Sequence, residues 1–269
     1  MLGINTNLLS SIVQSNLSRS SNDVTQATER LSSGLRINSA KDDAAGLAIA
    51  ARFETQIRGM NVAVRNANDA ISLAQTAEGA TDAMADILQR MRELAVQSAN
   101  DSNDQDARDA LDLEFQALST ELDRIATSTT FNGEAILAGD AGAKNFQVGA
   151  NAGDTISITT TDLQTLNASV GDIKSAANAG TAMGALDTAI DTLNSERSTY
   201  GATMSRLDYT VKNLQNNIVN SEAARSRIMD ADFAAETAKL TRAQILQQAG
   251  VGMLAQANQQ PQLVLSLLR

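Results

Sequence analysis

Hydrophobic positions recur along the chain in two long stripes of helical period. Met183, Leu186, Ile190, Leu193, Tyr200, Met204, Leu207, Val211, Leu214 and Ile218 follow one another at alternating steps of three and four residues. Only Arg197 stands where one more apolar side chain was due. A stripe this narrow and this long predicts a helix docked lengthwise on a partner helix, not one resting on a globular core. A matching stripe runs through Ile49, Phe53, Ile57, Met60, Val64, Ala67, Ile71 and Ala74 and resumes at Met84, Leu88, Met91 and Ala95. It predicts one helix over 44–100, about 85 Å long. Ser39 and Asp42 read as a capping box ahead of it. Gly59 and Gly79 each cost roughly 1 kcal/mol against Ala, too little to break a packed helix.

Residues 100–104 read as a turn, with Ser102 and Gln105 as a second capping box. A helix over 106–127 follows, carrying Leu111, Phe115, Leu118, Leu122 and Ile125 on one face. The middle of the chain changes character. Residues 127–131 lead into a turn at Asn132 and Gly133. Phe146 and Val148, then Ile156 and Ile158, alternate with polar residues about a turn-rich segment. This predicts a β-hairpin with its loop near 150–153, and the small, polar stretch 167–180 reads as an irregular connection. The fold class is therefore mainly α: a long antiparallel helical rod or coiled coil with a small β-hairpin region, its N- and C-terminal halves paired. The rod is expected over 44–229, and residues 1–43 with 230–269 form a discontinuous second domain of terminal helices.

Those terminal arms are thinly apolar. Leu8, Ile12, Val24 and Leu31 mark one; Phe233, Leu240, Val251, Leu254, Leu263, Leu265 and Leu268 mark the other. Helices of this kind are marginal alone in water. Pairing the two arms still leaves exposed apolar strips, which mark interaction surfaces. Packing against identical neighbours is the expected remedy.

Composition narrows the chemistry. The 269 residues include no Cys and no His, 3% aromatics, one Pro and a formal charge of −10. No Cys or His nucleophile, imidazole base or ordinary zinc site is available, and no disulfide. The acidic balance argues against nucleic acid. Residues 1–13 lack a basic segment and a cleavage site, so they do not read as a secretory signal. The longest apolar stretch, near the C-terminus, is far too short to span a bilayer.

Local motifs add no catalysis. Gly250-Val-Gly252-Met-Leu-Ala255 fits a dinucleotide fingerprint on paper, but a Gln-rich helical segment precedes it where a strand is needed. Small residues permitting close helix contact explain it better. Asp101, Asn103, Gln105 and Asp106 lack the glycine of a calcium loop. No enzyme, cofactor or metal site is expected.

Longer motifs carry a resemblance. ERLSSGLRINSAKDDAAGLAIAARF (29–53) resembles the N-terminal signature of bacterial flagellins. SEAARSRIMDADFAAETAKLTRAQILQQAG, with the ending ANQQPQLVLSLLR, resembles their C-terminal signature, and QRMRELAVQSAN (89–100) and FNGE (131–134) also match. The resemblance implies an extracellular subunit that self-assembles into the helical filament of the bacterial flagellum, in a minimal form without outer variable domains. It implies type III export, an export chaperone on the C-terminal arm, contact with filament cap and hook-associated proteins, and no membrane insertion. It further implies that Gln89, Arg90, Glu93, Leu94, Gln97 and Glu114 correspond to positions read by a vertebrate Toll-like receptor. A hook–filament junction protein of the same family is the alternative, disfavoured by the closeness of 32–41 and of the extreme C-terminus to flagellin.

Overall fold

The computed structural model describes residues 6–168 and 170–267, with side chains at all of these except 167, 168 and 260–267. In chain order the elements are α1 (Leu8–Ser33), α2 (Ala44–Ser98), α3 (Gln105–Ser128), β1 (Thr130–Phe131), β2 (Glu134–Ala135), β3 (Ala143–Gln147), β4 (Thr155–Thr159), α4 (Thr165–Ala168), α5 (Ala176–Met229) and α6 (Phe233–Leu267). The fold is mainly α, with two small antiparallel strand pairs. Contacts divide it into two compact units: Met1–Thr55 with Asn220–Arg269, and Gln56–Val219.

In the second unit the α5 stripe resolves into two series. Leu186, Leu193, Tyr200, Leu207 and Leu214, seven residues apart, are buried. The intervening Met183, Ile190, Met204, Val211 and Ile218 are half-buried. Arg197, in that second series, bonds Asp82 at 2.6 Å. Arg92 Nε donates to Asp187 Oδ1, also at 2.6 Å. Ten residues back along α2 is thus matched by ten residues forward along α5, so the two helices run antiparallel in constant register.

The α2 seam differs from the expected stripe. Ile49 is exposed, and Val64 and Ile71 are only half-buried. Of the expected residues Ile57, Met60, Ala67, Ala74, Met84, Leu88, Met91 and Ala95 are buried, and Ala63, Ala70, Leu73 and Ala77 join them. Side chains that stop at Cβ let neighbouring elements approach closely, so Ala63, Ala70 and Ala77 enter the seam beside the half-buried Val64 and Ile71.

Helix α2 starts at Ala44 as expected and α3 one residue early, but both are capped by residues other than those expected. Asp43, not the pair Ser39 and Asp42, caps α2, its Oδ1 accepting from Gly46 N at 2.8 Å. Asp42 closes the preceding turn instead, accepting from the Ser39 N–H and hydroxyl at 3.0 and 3.1 Å. Asp104 caps α3 by accepting from Ala107 N at 2.8 Å, in place of Ser102 and Gln105.

Asn132 and Gly133 both have positive φ, 52° and 84°, which is the two-residue turn that joins β1 to β2. Strands β3 and β4 pair Phe146 with Ile156 and Lys144 with Ile158, and Ile156 and Ile158 face the core. The connection after α4 is less irregular than expected. Val170 and Ile173 are buried, and α5 already begins at Ala176. Asp112, itself buried on α3, accepts from Ile173 N at 3.0 Å, while the Ser98 hydroxyl donates to Ile173 O. A surface-looking acid therefore pins an apolar loop to the helices.

In the first unit α1 ends at Gly34, whose φ of 72° suits a left-handed cap. The chain then meets the end of α5. Arg36 N donates to Met229 O at 2.6 Å and Ala231 N to Gly34 O at 3.0 Å.

Candidate assembly surface

The first unit is built around α1 packed antiparallel on α6, and its seam is small. Ser20, Ala27, Ala243 and Ala257 are buried in it. Ser20 Oγ donates to Ala243 O at 2.7 Å, and Asn7 Nδ2 to Ala257 O at 2.8 Å. A Cβ added at Gly250 would lie 3.3 Å from Leu17 Cδ1, so Gly250 does serve close packing, whereas Gly252 faces open space. Glu236 is buried between Arg30 at 3.3 Å and Lys239 at 2.8 Å. Lys239 first, and Arg30 after it, hold its carboxyl below the usual range. Asp23, Arg30, Glu236, Lys239, Arg242 and Leu246 line a groove of about 390 Å³ beside this network.

So narrow a seam leaves most of the larger apolar side chains outside. Of the expected arm residues, Val24, Leu31, Leu240 and Leu254 are half-buried. Leu8 is 72% exposed, and Ile12, Phe233 and Val251 are exposed to about half or more. Leu263, Leu265 and Leu268 lie outside the described side chains. Leu9, Ile245, Leu246 and Met253 are equally open and were not read from the sequence. Helical geometry sorts the α6 residues. Buried Ala243 and Ala257 mark the face against α1. Phe233 and Val251 lie on one flank of that face, Leu246 and Met253 on the other, and Ile245 beyond them on the outward side. A helix with one partner needs one apolar face; α6 has three.

A second patch lies on the other unit. Gln89, Arg90, Glu93, Gln97 and Glu114 are exposed. Arg90 joins α2 to α3, bonding Glu114 at 2.9 and 3.0 Å and Glu93 at 3.0 Å. Glu114 first, then Glu93, raises its already high basicity. Leu94 does not belong to this surface: it is 1% exposed and sits in the core of its own subunit.

Among the described residues no helix is long and apolar enough to cross a membrane, and no acidic cluster could hold a metal ion. A family model described as the bacterial flagellin N-terminal helical region matches residues 4–141, and one for the bacterial flagellin C-terminal helical region matches 183–268. The chain belongs to the bacterial flagellin family. A flagellin from Halalkalibacterium halodurans is 48% identical over 270 residues, covering 99% of each chain. One from Xenorhabdus nematophila is 44% identical over 309 residues, again covering 99% of each. The crystal structure of Bacillus cereus flagellin is similar with a TM-score of 0.53 at 37% identity, covering 56% of this chain and 88% of that one.

This flagellin is a structural subunit of the extracellular flagellar filament, in a family of structural proteins, not enzymes. These two relatives, matched over their full length, are flagellins, and the hook–filament junction reading is not better supported. Homopolymer assembly is what the surplus apolar faces of the arms call for.

Proposed function

We propose that residues 1–43 and 230–269 form the inner, polymer-building domain of the subunit and that 44–229 form the surrounding rod domain. Leu8, Ile12, Phe233 and Val251 are then contacts between copies, and Ile245, Leu246 and Met253 join them. Val24, Leu31, Leu240 and Leu254 hold the α1–α6 pair together, and Leu263, Leu265 and Leu268 are assigned to contacts between copies from the sequence alone. The observation that carries this is the pair of exposed apolar flanks on α6, on either side of its seam with α1. Water penalises such flanks until copies cover them.

The same chemistry identifies the other partners. An export chaperone covers the C-terminal arm before secretion, because an arm that polymerises outside the cell must be shielded inside it. Filament cap and hook-associated proteins meet the arms at the two ends of the polymer. A vertebrate Toll-like receptor reads Gln89, Arg90, Glu93, Gln97 and Glu114, with Leu94 supporting that surface from beneath.

Seeded filament growth tests the central claim. Ile245→Asp and Val251→Asp subunits should bind no seeds and grow no filaments, while their melting matches the wild type. Normal growth of both would refute it. Deleting the residues after Pro261 should abolish both chaperone binding and growth. Arg90→Ala should weaken receptor signalling by the monomer, and undiminished signalling would remove that contact.

A further inference from the structure

We propose that Met253 is a peroxide-sensitive site on the free subunit, and that its oxidation to the sulfoxide stops the subunit from joining a filament. The inference rests on the α6 flank being an assembly contact. The chain has 8 Met and no Cys, so a hydroperoxide finds no thiol and its two-electron chemistry falls to the thioethers. Their exposure differs sharply. Met60, Met84 and Met91 are buried, and Met183, Met204 and Met229 are half-buried. Met253 is 51% exposed, and among the described residues it is the one methionine with its side chain largely open to solvent.

Its position gives the reaction a consequence. Met253 follows Ile245 by eight residues and Leu246 by seven, so all three share one face of α6. With the exposed Ala249 between them they make a continuous apolar strip. In the reaction the sulfur lone pair attacks one peroxide oxygen and the O–O bond breaks. The sulfur is oxidised, the peroxide is reduced, and the second oxygen leaves as water with the two peroxide protons. The thioether becomes a strongly polar S–O group whose acceptor oxygen has no donor among Ile245, Leu246 and Ala249. Burying it against a second copy strips its water without replacing the hydrogen bond. Free subunits are therefore open to oxidation and inhibited by it, whereas a filament shields the same sulfur.

Three measurements on the purified full-length chain test this. Hydrogen peroxide is titrated into monomer, and peptide mass spectrometry ranks the oxidised sites. Met253 should gain one oxygen well before any other described methionine; oxidation led by Met183, Met204 or Met229 would overturn the proposal. Seeded growth of the oxidised monomer should then need roughly tenfold more subunit, the factor that accompanies burial of one unpartnered polar oxygen. Met253→Leu treated in parallel should grow normally, and methionine sulfoxide reductase should restore the wild type. Unimpaired growth of singly oxidised subunits would refute the functional half. Peroxide applied to finished filaments should leave Met253 unmodified, and oxidation as fast as in monomer would refute the shielding. Ile245→Asp separates the two levels: if it blocks growth while oxidation does not, only the Met253 inference falls; if neither blocks growth, the assembly reading of this flank falls with it.

Discussion

Tyr200 concentrates the chemistry of the core in one side chain. It is fully buried in the α5 seam, and its hydroxyl lies near the Glu196 carboxylate and the Thr161 backbone without a hydrogen bond of ordinary geometry. Glu196 is instead engaged by the Thr161 hydroxyl, at 2.7 Å. Burial first, and the Glu196 charge second, push the phenol well above the usual tyrosine range. The native state therefore holds this proton at a pH where the unfolded chain releases it. Stability from Tyr200 is intact below the ordinary tyrosine value, and it declines as pH rises above that value toward the folded one. Tyr200→Phe should abolish this alkaline decline. At neutral pH it should change stability by less than about 1 kcal/mol, because the hydroxyl it deletes makes no good bond. Urea melts of both proteins at neutral and strongly alkaline pH decide it; an unchanged alkaline slope in the variant would be the contrary result. Sequence spacing placed this tyrosine in the seam. The Glu196 neighbourhood was not legible, because it depends on a loop at Thr161 distant in the chain.

At the scale of elements, what could be read depended on side-chain size. The large residues of α5 wrote their spacing plainly into the sequence. The seam of α2 was legible only in part, because alanine is common on every face of a helix and only packing distinguishes Ala63 from an exposed Ala51. The helix caps went astray for a related reason. Asp42 and Asp43 are adjacent and equally able to cap, and only the turn closed by Ser39 assigns one to each task. The exposed α6 flank was missed because Ile245 and Leu246 sit off the strip traced by Phe233 and Val251. Two helix-level predictions follow from these seams. Leu193→Ala should cost about 2–5 kcal/mol through the cavity it leaves. Arg197→Leu should cost far less or stabilise, since its Nε is buried without a partner and its position belongs to an apolar series. Chemical denaturation of both variants provides the comparison, and a larger loss for Arg197→Leu would mean that the Asp82 pair holds the register. In the arms, Glu236 makes the α1–α6 pair acid-sensitive. Its lowered pKa means its stabilisation is present above the ordinary carboxylate range and is lost as pH falls through the folded value. Glu236→Gln should weaken the pair at neutral pH and flatten its acid dependence, read by proteolysis of the arms from neutral to acid pH.

The whole molecule divides its tasks as its burial is divided. Every residue of the main hydrophobic core, from Ala67 to Leu207, lies within Gln56–Val219. The terminal unit buries alanines, a serine, Ile37 and a charged Glu236 in its place. The first unit buries few large apolar side chains, whereas the second holds the main core within itself. Free subunits should accordingly lose their arms to protease while the unit holding the core survives, and calorimetry should show a weak early transition before a cooperative main one. A fragment over 56–219 should keep its helical circular dichroism and the main transition, remain monomeric, and add to no seed. Inside a filament the proposed contacts should reverse the order: with copies over the flanks of α6, the arms become the protected part. This reversal separates an assembly domain from a merely flexible tail: a tail stays cleavable in the polymer. If filaments lose residues 1–43 and 230–269 to protease as fast as monomers do and keep their length, the arms are not what joins the subunits.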